Sequence, residues 1–296
     1  KEKFKLFLII FIFSLYGIRT ILRNYDWKDP EKFYLKSINY SFYPSLLYGN
    51  LCYHYLRNGE YEKSYSISKK AILYGLKNEP ILYIYGVSSM NIGKYDEAEV
   101  IFKEILKLNP KNYEALTELG YLYFIKGEYE KGIKLLNESL KINENYPKTY
   151  YIFVEIYRVK KERENYLNKI EELIKITPYD FYPYYLKGLA FKEKGDYLKA
   201  NENFNKAYNI LKNKNDFYSI FNCGILMKEM GRVNEALELF YKLLKLKPEN
   251  IEILNEIGIC YAMKGDKEKA RKIWENILFI NPKYYPAKEN LRRLGN

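Results

Sequence analysis

From residue 45 onward, large apolar residues return at intervals of three and four, in stretches of about thirteen residues separated by short polar turns. That is the spacing of helices with one buried face. The stretch from Tyr113 to Tyr146 shows the unit. A first helix over Glu114 to Lys126 buries Leu116, Leu119, Gly120 and Tyr123, Gly127 makes the turn, and a second helix over Tyr129 to Leu140 buries Gly132, Leu136, Ser139 and Leu140. Gly120, Gly132 and Ser139 stand where two helices approach closely, a place that a larger side chain would wedge open.

Moving this pattern by thirty-four residues reproduces it along the chain. Upstream, Gly86, Gly93, Tyr95, Ala98, Phe102 and Pro110 fall on it; one period earlier Tyr48, Cys52, Tyr55, Gly59, Tyr61, Ser64 and Ala71 do so. Downstream come Tyr150, Val154, Tyr157 and Pro178, then Gly188, Phe191, Gly195, Tyr197, Ala200, Phe204 and Ala207. Gly224, Gly231, Ala236, Phe240 and Pro248 form the next unit, and Gly258, Tyr261, Gly265, Ala270, Trp274 and Pro282 the last. The spacing predicts seven units, over residues 45–78, 79–112, 113–146, 147–180, 181–216, 217–250 and 251–284. Residues 25–44 continue the pattern as a degenerate first repeat, with Trp27, Tyr34, Ser37 and Ile38 on second-helix positions. Residues 285–296 read as a capping helix with Leu291 and Leu294 inward and Lys288, Arg292 and Arg293 outward.

The period and its small and aromatic positions resemble the tetratricopeptide repeat (TPR) family, over about five sixths of the chain. The resemblance implies an all-α fold, a right-handed superhelical solenoid of seven helix-turn-helix repeats with the degenerate repeat, the capping helix and an N-terminal apolar helix at its ends. It implies protein binding, and no particular partner. Two departures stand out. The fourth unit has Val154, Lys161 and Tyr166 where others have small residues, which predicts looser packing, and residues 213–216 lie in a two-residue lengthening.

Composition adds little chemistry. The net charge of +12 is spread, with +4 on residues 1–44, none on residues 45–146 and the rest scattered over later units. No face or segment concentrates it, which argues against nucleic acid as a partner. Cys52, Cys223 and Cys260 fall in three units at inward positions, and His54 is the only histidine, so neither a disulfide framework, a histidine metal site nor a triad is expected. No enzyme, cofactor or metal is expected. Asn39 and Asn137 match the glycosylation pattern, but Ser139 is an inward position, which leaves Asn39.

Ahead of the repeats lies the most apolar stretch. Lys1, Lys3 and Lys5 precede Leu6, Phe7, Leu8, Ile9, Ile10, Phe11, Ile12, Phe13, Leu15 and Ile18, with Ser14, Tyr16 and Gly17 as interruptions and Arg19 and Arg23 behind. Three readings stand open. A signal peptide fits the charged start, but no small-x-small cleavage site follows, so the segment is read as retained. A membrane anchor is the second: thirteen apolar residues span about 20 Å of a roughly 30 Å hydrocarbon core, so Lys5 and Arg19 would have to snorkel across residues 4–22. A helix over residues 1–24 sheltered in protein is the third. About eight buried Leu, Ile and Phe side chains contribute roughly 12 to 24 kcal/mol of transfer free energy, enough to hold two subunits together against an association cost of about 4 to 15 kcal/mol. The run from Arg19 to Asp29 also resembles the junction of TMTC-like multi-pass membrane proteins, where a last membrane helix leads into TPR units. That resemblance implies the tail of a longer glycosyltransferase-like protein, membrane-associated or at the cell surface.

In TPR arrays the inner wall is lined by the first helix of each repeat, and the resemblance places Tyr53, Leu56, Tyr83, Ile84, Val87, Met90, Tyr121, Phe124, Ile125, Tyr151, Ile152, Tyr185, Leu186, Leu189, Tyr218, Phe221, Ile225, Ile259 and Met263 there. This wall is largely apolar. The polar positions Asn50, Arg57, Asn91, Lys148, Arg158, Lys192, Asn222, Lys228 and Asn255 are spread over many units, against a clamp for a terminal carboxylate. An apolar groove suits an apolar or amphipathic helix. The expected function is a non-enzymatic scaffold that assembles with copies of itself, residues 4–24 of one copy entering the groove of the next and propagating head to tail as a filament. The alternative is a membrane-anchored TPR domain that recruits a separate partner.

Overall fold

The structure, a computed structural model, describes residues 29–38 and 41–295 together with Ser14, Tyr16, Gly17 and Thr20. The apolar residues Leu6 to Phe13, Leu15 and Ile18, most of the Arg19 to Asp29 junction with Trp27, and the glycosylation candidate Asn39 lie outside the described residues. The chain divides into two compact units, Lys1–Ile152 and Phe153–Asn296. Among the described residues every element is an α-helix.

The first unit holds α1 (Pro30–Ile38), α2 (Pro44–Arg57), α3 (Tyr61–Leu73), α4 (Glu79–Asn91), α5 (Tyr95–Leu108), α6 (Tyr113–Ile125) and α7 (Tyr129–Ile142), and ends within α8 (Pro147–Val159). The second holds the rest of α8, then α9 (Arg163–Ile176), α10 (Phe181–Glu193), α11 (Tyr197–Leu211), α12 (Phe217–Glu229), α13 (Val233–Leu246), α14 (Ile251–Met263), α15 (Lys267–Ile280) and α16 (Tyr285–Gly295). The lengthening near residue 213 is absorbed by α11, one residue longer than α9, and by the loop behind it.

Short polar residues start these helices. Asn78, Asn112, Asp216 and Asn250 each accept a hydrogen bond from the backbone N–H three residues on, at the entry to α4, α6, α12 and α14. Each cap satisfies an amide that the helix itself leaves unpaired. Between the two helices of a hairpin the backbone must turn through the left-handed region, and Gly59, Gly93, Gly127, Gly195, Gly231 and Gly265 do so with φ between 75° and 81°. In the fourth hairpin Lys161 occupies the same place at φ 59°.

A side chain in that region costs about 1 to 2 kcal/mol, against a glycine entropy cost of about 0.5 to 1 kcal/mol. Lys161→Gly is therefore expected to stabilise the second unit by about 0.5 to 1 kcal/mol. The check is a higher midpoint of urea unfolding at unchanged slope.

Packing inside each hairpin follows a small-to-large rule across sixteen residues. A Cβ built on Gly86 would sit 2.8 Å from the Phe102 ring, on Gly120 2.9 Å from Leu136, on Gly188 2.4 Å from Phe204, on Gly224 2.6 Å from Phe240 and on Gly258 2.6 Å from Trp274. The fourth hairpin solves the same space differently: Val154 stands in the glycine position and Ile170 in the aromatic one, both wholly buried. In the first hairpin those positions are Cys52 and Ser68, also wholly buried. The division of bulk between the two helices therefore differs from hairpin to hairpin while both positions stay buried.

Buried serine and threonine hydroxyls form short chains, with Ser89 Oγ left without a partner. Ser88 donates to Ser64 Oγ at 2.8 Å, and Ser64 to the Cys52 carbonyl at 2.9 Å. Thr117 lies 2.8 Å from both Ser139 and Thr149, and Ser139 donates to the Tyr113 carbonyl. Ser139 is thus interior. At the far end of the second unit α16 buries Ala287 and packs Leu291 and Leu294 on the Trp274 cluster, with Lys288, Arg292 and Arg293 exposed.

Candidate protein-binding face

The first helix of each hairpin turns one stripe to the core and leaves another open. In the first unit the open stripe carries Tyr53, Leu56, Tyr83, Val87, Tyr121, Phe124, Ile125 and Tyr151, half-buried or exposed, with the Tyr121 and Phe124 rings stacked at 6.1 Å. In the second it carries Tyr185, Leu189, Tyr218, Phe221, Ile225, Ile259 and Met263. Three side chains assigned to this wall by helix position belong elsewhere. Ile84, Met90 and Ile152 are core residues, 5 or 6 % exposed. Helix position alone does not distinguish the edge of a stripe from its centre. Leu186 is buried to a similar degree but lines a pocket.

Lys148, Lys192 and Lys228 on this face are already paired. In the first unit Glu118, wholly buried, accepts from the Tyr83 hydroxyl at 2.6 Å and from Lys148, both on Oε1, while Oε2 has no partner. Burial, and after it the Glu118 charge, pushes the Tyr83 phenol well above its usual range. In the second unit Lys192 donates to Glu229 at 2.9 Å, and Lys228 to Glu256 at 2.6 Å with Glu229 3.6 Å away. Lys228 is 8 % exposed. Burial alone would lower its pKa, but Glu256 and Glu229 carry it above the usual lysine value. Lysines held this way cannot also grip a terminal carboxylate.

A concavity of about 780 Å³ lies in the second unit at the fourth hairpin. It is lined by Glu155, Tyr157, Arg158, Lys161, Arg163, Tyr166, Tyr182, Tyr185, Leu186, Leu189, Ala190 and Glu193. Tyr166 is the reason it exists here. At the same point of the second helix the other hairpins have Ser64, Ala98, Gly132, Ala200, Ala236 and Ala270, all buried at the close approach. A phenol ring in that position holds the α8 and α10 faces apart. Arg158 is bound to Glu155 through Nε at 3.1 Å and Nη2 at 2.6 Å.

The cysteines have no part in this face. Burial pushes the Cys52 thiol up to about 12 and those of Cys223 and Cys260 to about 11, so the nucleophilic thiolate is disfavoured at all three. Among the described residues no group of His, Cys, Asp and Glu is placed to hold a metal ion.

Two family models match this sequence. One for the tetratricopeptide repeat covers residues 93–150 and 228–292, and one for YpiA-like C-terminal tetratricopeptide repeats covers residues 183–250. Together they take in more than half of the sequence, and the chain carries tetratricopeptide repeats over these residues. Photosystem I assembly protein Ycf3 of Rippkaea orientalis is 26 % identical over 122 residues, 36 % of this chain and 70 % of that protein. A TPR repeat-containing protein of Methanocaldococcus jannaschii is 31 % identical over 109 residues, 36 % of this chain and 19 % of that one. Among solved structures, the APC/C hetero-tetramer Cut9-Hcn1 covers 90 % of this chain at a TM-score of 0.61 and 17 % identity, and this chain spans 51 % of that one. A tetratricopeptide repeat protein from Parabacteroides merdae covers 85 % at a TM-score of 0.60 and 18 % identity, over 99 % of its own length. At these identities the structural likeness establishes the all-helical repeat fold.

Proposed function

We propose that this chain is a non-enzymatic scaffold that holds an apolar or amphipathic segment of another polypeptide against the open faces of its first helices. The observation that carries the reading is the composition of that face. Its half-buried stripe is aromatic and aliphatic, from Val87, Tyr121 and Phe124 in the first unit to Leu189, Phe221 and Ile225 in the second. Its lysines are committed to glutamates of neighbouring hairpins. Such a face favours helix-in-groove docking over end-group recognition. The Ycf3 relative bears the name of an assembly protein, which accords with scaffolding.

The occupant we favour is residues 4–24 of a second copy, a segment too apolar to remain in water. Removal of residues 1–24 is then expected to convert an assembly into a soluble monomer, read by light scattering after size exclusion. Phe124→Asp with Ile125→Asp, both outside the core, is expected to do the same while leaving the helical content unchanged. An assembly that survives both changes would overturn self-docking. The basic flanks of the same segment favour a second reading, a membrane anchor on a chain that recruits a separate partner, akin to the TMTC-like arrangement. Among the described residues no helix is long and apolar enough to cross a membrane. The readings separate in a flotation assay: an anchored chain rises with vesicles and loses that on removal of residues 1–24, with no change in subunit association.

A further inference from the structure

The pocket of the fourth hairpin has a polarity that the open stripe lacks. Its floor is apolar, with Tyr166, Leu186 and Ala190 buried and Tyr185 and Leu189 half-buried. Its rim is charged, and the charges are unequally occupied. Arg158 is neutralised by Glu155, whereas the exposed Lys161 and Arg163 have no ion pair among the described residues. Elsewhere on this face the lysines are bound to glutamates. Lys161 also stands in the left-handed backbone position that six other hairpins give to glycine. It is held there at a cost in backbone energy with its side chain at the pocket.

We propose that this pocket is a docking site for an acidic segment of a partner polypeptide that carries one large apolar side chain. The apolar side chain fills the floor between Tyr166, Leu186 and Leu189, and adjacent Asp or Glu carboxylates meet Lys161 and Arg163. Charge complementarity selects this occupant: of the three exposed rim charges without an ion pair among the described residues, Lys161 and Arg163 are positive and Glu193 is negative, so the excess is positive, and a volume of about 780 Å³ lies within the range of roughly 300 to 1,000 Å³ that takes a compact ligand group. The inference rests on the scaffold reading and adds a second kind of partner to it, since the apolar segment proposed for the open stripe offers no acid to this rim.

The test is selection of a random dodecapeptide library displayed on phage against the full chain, followed by anisotropy with the enriched peptides as labelled probes. Enriched peptides are expected to combine a large aliphatic or aromatic residue with neighbouring Asp or Glu. Lys161→Glu with Arg163→Glu is expected to weaken them roughly tenfold or more, since two charge-assisted contacts are reversed. Both side chains are exposed, so the thermal midpoint should hold. Lys161→Gly provides a second readout: it should weaken the probe while stabilising the fold, a combination that a purely structural lysine does not produce. Enriched peptides without acidic residues, probes indifferent to the charge reversal, or no enrichment at all would overturn the site. Peptides lost on Phe124→Asp with Ile125→Asp but untouched by the pocket changes would overturn it and leave the scaffold standing.

Discussion

Gly188→Val is expected to destabilise the second unit by about 3 kcal/mol, and adding Phe204→Ile is expected to restore most of the loss. A Cβ alone at Gly188 would lie 2.4 Å from Phe204 Cε1 and 2.5 Å from Cδ1, both far inside contact distance. Phe204 is wholly buried and has no open side toward which to move. Helix propensity would favour almost any residue over glycine here, so the sign is decided by steric overlap. The rescue copies a solution this chain already contains, since the fourth hairpin packs Val154 opposite Ile170 at the same two positions with both wholly buried. The double variant is expected to come within about 1 kcal/mol of the parent, and the cycle to report a coupling of about 2 kcal/mol. Urea unfolding followed by circular dichroism of the four proteins checks it. If Phe204→Ile gives no rescue, the sixteen-residue pairing does not govern hairpin packing.

That pairing explains why the fold was so legible. A thirty-four-residue period fixes small, aromatic and turn positions together, so each hairpin predicts its neighbour, and the left-handed glycines fall where the turn needs them. The site was less legible for a geometric reason. First-helix positions identify a stripe but not its width, and Ile84, Met90 and Ile152 fall beyond its edge, 5 or 6 % exposed. The charged positions were visible, yet their neutralisation was not: Lys228 meets Glu256 across 28 residues and Lys192 meets Glu229 across 37, pairings that only the stacking of hairpins brings about. The pocket was foreshadowed by Val154, Lys161 and Tyr166. The expected looseness there is localised. Val154 is wholly buried in one cluster with Ile170, and the space opens at Tyr166.

Those ion pairs give the other large effect, and its sign depends on which partner is removed. Glu256→Ala leaves the Lys228 ammonium buried beside Glu229 at 3.6 Å and is expected to cost about 3 kcal/mol. Lys228→Met with Glu256→Leu removes both charges and is expected to be neutral or stabilising by about 1 kcal/mol, because neither group then has to be desolvated. The pair also sets a pH window. The folded pKa of Lys228 is raised above its unfolded value, so its contribution is complete below that unfolded value and disappears as pH rises through the folded one. Through Lys228 the parent should therefore lose stability relative to the Met and Leu variant on the alkaline side, above about pH 10.5. Lys192, a third exposed and bound to Glu229, should contribute less than about 1 kcal/mol by comparison. Thermal midpoints of the variants across pH 7 to 11 measure the difference. A Lys228 and Glu256 pair that can be broken from either side without cost would mean that the face is open to water at this point, and its lysines would then be available to a ligand after all.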